Sequence, residues 1–199
     1  MHHTRNETWV RPNTDMNGHN NLVERLRAGK IDALGDAYDL YGKGIYRFCL
    51  KILGDHDEAQ DAVQEVFLLV LSDIHDLRDE ERFVPWIFRI AYRECLMMIR
   101  RKKGVSLDVV DDAVWNDETP LDLASHQDLV GQVRQAIESM QPVYQHVVHL
   151  RVYEHLSYSE IAAVLDTTEA AVRARLFKAR KALARKLNHL MQEGPSHGV

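Results

Sequence analysis

Hydrophobic positions from about residue 22 onward recur in steps of three and four, which is the spacing of amphipathic helices. The longest stripe runs from Leu34 to Leu53 and is closed by Gly54, a residue type that often ends a helix. Asp55 then stands where a helix N-cap is needed, with Glu58 three residues further on in a carboxylate variant of the capping box. No run alternates in the way that a strand requires, so the sequence predicts an all-α protein.

The breaks between the helical patterns predict two small helical domains joined by an acidic flexible linker. Bases followed by Gly104 end the last helix of the first domain, and the segment after it has no clear period and contains Pro120. The predicted segments are a flexible N-terminal arm (1–20), a first domain (21–103), the linker (104–125), a second domain (126–191) and a flexible tail (192–199).

The second domain ends in two helical patterns separated by a tight turn. Ser157 and Glu160 form a capping box for the first of them, and Thr167 or Thr168 caps the second. From Arg173 to Lys186 the second helix carries seven bases and no acid, which suits a helix that enters the major groove. An ordinary helical hairpin with a solvated basic face is the alternative. The acid-free face favours a DNA-binding helix-turn-helix.

The net charge of −5 conceals four successive blocks of alternating sign. Residues 54–81 hold ten acids and one base, whereas 82–103 hold seven bases and one acid. Residues 104–128 hold seven acids and no base, whereas 173–186 hold seven bases and no acid. Solvated helix faces could account for one such block, but four in succession indicate several partners of different charge.

The fourth helical pattern begins near Phe83 and mixes aromatic and basic residues, among them Trp86, Arg89 and Tyr92. This combination suits single-stranded DNA, because rings stack on unpaired bases and cations follow the backbone. Aromatic residues at helical spacing also form ordinary cores. Trp86 fits either interpretation.

Several classes of protein are excluded by what the sequence lacks. It has no run of about 18 apolar residues and no apolar signal-peptide core, which predicts a cytoplasmic protein with no stable membrane association of its own. Cys49 and Cys95 lie in apolar helical patterns and are interpreted as buried free thiols, a disulfide being the alternative. Metal binding by His146, His149 and His155 is the alternative to an ordinary structural role, but no catalytic motif accompanies them. We therefore predict no enzyme activity, no catalytic residue, no metal and no cofactor.

Four segments together resemble the extracytoplasmic-function sigma factors, the small group IV sigma subunits of bacterial RNA polymerase. Residues 55–67 (DHDEAQDAVQEVF) resemble the polymerase-binding helix of that family, and 83–91 (FVPWIFRIA) resemble the start of its promoter-melting helix. Residues 156–165 (LSYSEIAAVL) and 171–180 (AVRARLFKAR) resemble its C-terminal helix-turn-helix. The likeness covers about residues 20 to 191, in the order that the family has.

The resemblance implies a non-enzymatic subunit that directs promoter-specific transcription initiation, with stress response as the wider role. Its implied partners are core RNA polymerase, through the β′ coiled coil and the β flap, promoter DNA and an anti-sigma factor. Contacts to core polymerase are implied for Asp55, Asp57, Glu58, Asp61, Gln64 and Glu65. Contacts to the melted −10 element are implied for Trp86, Arg89, Tyr92, Arg93, Arg100 and Arg101. Contacts to the −35 duplex are implied for Thr168, Arg173, Ala174, Arg175, Phe177, Lys178, Arg180 and Lys181.

The chain departs from the family pattern at a few positions. Asp166 stands where the turn of the helix-turn-helix usually has Gly, and Asp tolerates the left-handed geometry that such a turn needs. Arg93 and Met97 stand where the family often has Asn and Asp. A regulator that binds duplex DNA without polymerase is the remaining rival, but it leaves the acidic third helix and the Trp86 region without a role.

Overall fold

The computed structural model describes residues 16–104 and 129–192, which form eight α-helices and no strand within those ranges. Two short 3-10 turns, Ile74–Asp76 and Glu80–Arg82, connect the third and fourth helices. The helices are α1 (Met16–Arg27), α2 (Ile31–Leu53), α3 (His56–Asp73), α4 (Phe83–Lys103), α5 (Leu129–Glu138), α6 (Pro142–Val152), α7 (Tyr158–Val164) and α8 (Glu169–Gln192).

Helices α1 to α4 form the first half of the molecule, and their ends follow from local chemistry. Gly54 adopts a left-handed conformation with φ of 71° at the end of α2, which relieves a strain that other residues would suffer there. Asp55 caps α3, its Oδ1 accepting a hydrogen bond of 2.9 Å from the backbone N–H of Glu58. Gly104 ends α4 with φ of 63°. These predicted boundaries are confirmed.

The structure corrects two predictions in this half. Helix α1 begins at Met16, inside the segment predicted to be a flexible arm. Leu22, Val23 and Leu26 are buried and anchor this helix. Adding residues to the end of an existing helix costs less free energy than starting a new one. The segment 75–82, predicted to be a loop, contains most of the first 3-10 turn and all of the second. Arg27 holds it against α1 through an ion pair to Glu80 and a hydrogen bond to the Leu77 carbonyl.

Helices α5 to α8 form the second half. Pro142 occupies the first position of α6, where its missing N–H costs nothing. Leu150, Leu156, Ile161 and Val172 are fully buried and hold α6, α7 and α8 together. The described part of the chain thus contains the two helical units that the sequence predicts.

The two halves are in contact, and the sequence did not predict this. Helix α6 lies against α2, and α7 lies against α4, so that one buried hydrophobic cluster runs through both halves. Residues 105–125 of the predicted linker, 1–15 of the predicted arm and 193–199 of the predicted tail fall outside the described residues. No helix within the described ranges is both long and apolar enough to cross a membrane.

Candidate polymerase and promoter interfaces

The acidic side of α3 is an open surface. Asp55, Asp57, Asp61, Gln64 and Glu65 are exposed, while the opposite side of the helix is buried against the core. Asp61 and Glu65 lie four residues apart and therefore share one face. The structure thus brings together five of the six residues implied for core polymerase as a patch of negative charge.

Glu58, the sixth residue, differs from its neighbours because it is half-buried and engaged within the chain. Its Oε1 lies 2.6 Å from Nζ of Lys102 at the end of α4. This hydrogen bond raises the pKa of the Lys102 ammonium group and ties α3 to α4. Glu58 therefore has a structural partner already, unlike the exposed acids beside it.

The helix-turn-helix is built by α7, its turn and α8. Ser157 and Glu160 form the predicted capping box, with the Ser157 backbone N–H donating to the Glu160 carboxylate at 2.6 Å. Asp166 has φ of 51°, so the left-handed turn geometry inferred from the sequence is confirmed. Thr168 caps α8, its Oγ1 accepting from the Ala171 N–H at 3.1 Å.

The residues implied for −35 recognition form a continuous outer surface on α8. Val172 and Leu176 are buried, which orients the helix so that its basic side faces solvent. Phe177 has 68% of its surface exposed, an unusual position for a phenylalanine without a partner. The implied residues that are exposed are Thr168, Arg173, Ala174, Phe177, Lys178, Arg180 and Lys181, and Arg175 is half-buried.

Arg173 is positioned by two neighbours within the chain. Its Nη2 lies 3.2 Å from the Glu169 carboxylate, and its guanidinium carbon lies 5.7 Å from the centre of the Tyr158 ring. Both contacts are at the surface and hold the side chain only weakly. Arg173 can therefore exchange these contacts for a base edge.

The residues implied for −10 recognition on α4 are less accessible than those on α8. Trp86 is half-buried, with its ring 6.0 Å from that of buried Phe83, so it belongs partly to the core and partly to the surface. Arg89 is half-buried, and its Nε atom is fully enclosed without a hydrogen-bond partner. Tyr92 is half-buried and lies 6.2 Å, centre to centre, from the ring of His146 in the other half.

The basic residues further along α4 are only partly free. Arg93 is exposed, whereas Arg100 is half-buried. Arg101 is exposed and lies 3.9 Å from Glu94, a buried carboxyl whose pKa is raised by burial. The structure therefore places the −10 residues along one helix but leaves them unequally open to solvent.

Cys49 and Cys95 are both buried and free, which confirms their interpretation as reduced thiols. The thiol of Cys49 hydrogen-bonds to that of Cys95, and together with burial this raises the pKa of Cys95. A thiol in such a position is unreactive.

Sequence reasoning missed the polar cluster between the halves. His146, His149 and Glu154 are at most 3% exposed and lie against α2 and α4. From the sequence alone, the two histidines suggest only metal ligands. Their position three residues apart inside an otherwise apolar helical pattern was the signal for a buried face, but not for what covers it.

Comparison with known proteins agrees with this architecture. The family model described as sigma-70 region 2 matches residues 37–105, and that described as sigma-70 region 4 matches residues 131–183. The ECF RNA polymerase sigma factor SigW of Bacillus subtilis is 27% identical over 179 residues, covering 84% of this chain and 96% of SigW.

Two solved structures share the fold. The sigma factor RpoE of Bartonella quintana, crystallised with the anti-sigma factor NepR, has a TM-score of 0.59 at 18% identity and covers 79% of this chain and 98% of RpoE. CnrH, solved with the cytosolic domain of CnrY, has a TM-score of 0.58 at 19% identity and covers 85% of this chain and 96% of CnrH.

The matches to sigma-70 regions 2 and 4 define the chain as a sigma-70-type transcription initiation factor. The two family models together match more than half of the chain, which belongs to the extracytoplasmic-function sigma factors. It is thus a non-enzymatic protein whose partners are core RNA polymerase and promoter DNA. A regulator that binds duplex DNA alone is excluded, because the match includes the first half of the chain as well as the helix-turn-helix.

Proposed function

We propose a division of labour among three helices. The exposed acids of α3 bind a basic surface of core polymerase, the β′ coiled coil; α4 holds the melted −10 strand; and α8 reads the −35 duplex while its domain touches the β flap. The segments that act as units are the two domains at residues 21–103 and 126–191, joined by the acidic linker.

The observation that carries this proposal is the separation of exposed charge. Asp61 and Glu65 lie in a patch of exposed acids on α3, whereas Arg173, Lys178 and Lys181 lie on an exposed basic face of α8. Nucleic acid would be repelled by the first surface and attracted by the second. A chain that must bind a protein and DNA at once needs two such surfaces.

The aromatic residues of α4 support its role in holding an unpaired strand. Trp86 keeps part of its ring at the surface while Phe83 supports it from behind. Such a supported ring is a platform on which an unpaired base can stack. Duplex DNA offers no free base face, so this surface acts only after melting.

The proposals on regulation and location are supported by the partners with which similar proteins were solved. RpoE was solved with a protein named as the anti-sigma factor NepR, and CnrH was solved with the cytosolic domain of CnrY. We propose that this chain is likewise held by an anti-sigma factor, and that it acts in the cytoplasm, where core polymerase is.

Charge reversal on α3 tests the polymerase assignment. The double substitution Asp61→Lys/Glu65→Lys should weaken binding to core polymerase on the order of a hundredfold or more, because like charges then face each other. Binding is measured with labelled full-length protein and purified core enzyme. Circular dichroism should show unchanged helix content, because both side chains are exposed.

The matched control is Glu24→Lys/Asp39→Lys, which makes the same change in net charge at exposed positions of α1 and α2. It should bind core polymerase as the unaltered chain does. Equal loss of binding in both double variants would show that only net charge matters. Unchanged binding by Asp61→Lys/Glu65→Lys would show that the docking face lies elsewhere.

A further inference from the structure

The interface between the two halves has an unusual composition. Its centre is the ring of Phe48 on α2, which lies 6.2 Å from the ring of His146 and 5.5 Å from that of His149, both on α6. Tyr92 of α4 meets His146 from another side. Two histidines that bury their rings in an aromatic interface are suited to it only while they are neutral.

Glu154 completes this cluster immediately after α6. The carboxyl group is 1% exposed, and its Oε1 lies 3.4 Å from Nε2 of His149. Its Oε2 and the Nδ1 of His149 are buried without hydrogen-bond partners. Such incomplete pairing makes the contact easier to open than an apolar one of the same size.

A glycine allows the halves to approach this closely. A Cβ atom at Gly44 of α2 would meet Oε1 of Glu154 at 3.2 Å, and its three nearest neighbours are all atoms of that carboxyl group. Apart from α2 itself, no atom of the described residues lies nearer to this position. Gly44 therefore matters for the contact between the halves and not for the packing of α2 within its own half.

The closed arrangement is incompatible with binding both promoter elements. By their positions the −35 and −10 elements lie about 25 base pairs apart, or about 85 Å along B-form DNA. In the closed chain α7, which supports the reading helix α8, lies directly against α4. The two halves must separate before α4 and α8 can occupy their elements together.

We propose that His146, His149 and Glu154 form a proton-sensitive latch that holds the two halves in a self-inhibited arrangement and releases them on acidification. The inhibitory consequence rests on the assignment of α4 to the −10 strand in the proposed function; the latch itself rests only on the contact between the halves.

The charges around the latch set the direction of its response. Burial, followed by His149, Arg175 and Lys51, lowers the pKa of His146 to about 3. Burial also lowers the pKa of His149, and Glu154 opposes this. The groups that face the two histidines are Arg47 and Lys51 from α2, Tyr92 from α4, Arg175 from α8 and Glu154 itself, while Glu138 of α5 lies 3.9 Å from Lys51.

The direction of the pH effect follows from the difference in the pKa of His146 between the closed and the open chain. In the open chain His146 is hydrated and titrates near its ordinary pKa of about 6.5, whereas in the closed chain it stays neutral to far lower pH. The closed form is therefore fully favoured above about pH 6.5. It is weakened as the pH falls from about 6.5 toward 3. Between pH 7.5 and 5.5 the ratio of closed to open molecules should fall about tenfold through His146 alone.

The test is single-molecule energy transfer in the full-length chain. Dyes are attached to Asp39→Cys on α2 and Ala163→Cys on α7, two exposed positions; the native cysteines are buried and do not compete. Lowering the pH from 7.5 to 5.5 should reduce the closed-to-open ratio about tenfold at constant helix content. An unchanged ratio, or expansion only together with loss of helix, would overturn the proposal.

Two pairs of variants test whether the pH response and the contact between the halves depend on the latch residues. His146→Gln/His149→Gln should abolish the pH response, whereas His155→Asn, at an exposed histidine with φ of 54°, should retain it. A pH response that survives in the double variant would refute the latch.

Gly44→Gln should open the chain at both pH values by displacing Glu154. Gly35→Gln, on the same helix with no atom within 4 Å of its Cβ, should not. Equal behaviour of these two variants would show that Gly44 does not lie in the latch. None of these readings uses DNA or polymerase, so a failure of the latch and a failure of the proposed contacts are distinguishable.

Discussion

The two helices that we propose to contact DNA, α4 and α8, are presented very differently. On α8, Phe177 and the bases beside it face open solvent. On α4, Trp86, Arg89 and Tyr92 are each half-buried, and Tyr92 touches the other half of the chain. The comparison teaches that the surface proposed for duplex DNA is open in the free chain, whereas the surface proposed for single-stranded DNA is covered by the other half at Tyr92.

The largest effect expected within this comparison is on promoter opening. Trp86→Ala should reduce opening about tenfold to a hundredfold, since stacking on an unpaired base contributes about 1–3 kcal/mol. Binding to the closed promoter should stay nearly unchanged. Promoter opening is measured with reconstituted holoenzyme, on a promoter that the unaltered holoenzyme selects from a random library. A template with a pre-melted bubble is tested in parallel.

The bubble should rescue much of the Trp86→Ala defect, and Trp86→Phe should keep most of the activity. Because Trp86 also packs on Phe83, the melting temperature of each variant is measured in parallel. A strongly destabilised Trp86→Ala variant that the bubble does not rescue would remove Trp86 from the DNA surface.

An effect of similar size but confined to one base pair is expected on α8. Arg173→Ala should cost about 1–3 kcal/mol and relax the preference at one base pair of the −35 element, and a bubble at −10 should not rescue it. Lys181→Ala, on the same exposed face, should weaken binding to all sequences alike and reduce the salt dependence, as a phosphate contact does. Competition binding with single-base variants of the −35 duplex separates the two. Equal loss on every sequence for Arg173→Ala would make it a phosphate contact too.

Much of each half could be predicted because its determinants are local. The caps at Asp55 and Ser157, the stop at Gly104 and the turn at Asp166 each depend on residues within a few positions in the chain. The basic face of α8 could be predicted for the same reason: helical spacing separates Val172 and Leu176 from the exposed residues between them.

The contact between the halves could not be predicted from such local rules. Nothing adjacent in sequence relates Phe48 to His146, or Gly44 to Glu154, since each pair is brought together only by tertiary packing. A glycine inside a helix and a polar residue inside an apolar pattern each have several explanations until the opposite surface is known. The contact of Tyr92 with His146 belongs to this interface and was hidden with it.

Oxidative footprinting of aromatic side chains in the free chain tests the central contrast most directly, because hydroxyl radicals label rings in proportion to their exposure. Phe177 should be labelled quickly in the unaltered chain, in Gly44→Gln and in Gly35→Gln alike. Tyr92 should be protected in the unaltered chain and in Gly35→Gln, and labelled several times faster in Gly44→Gln. Equal labelling of Tyr92 in all three proteins would contradict the account, because α4 would then be no more covered in the free chain than in the opened one.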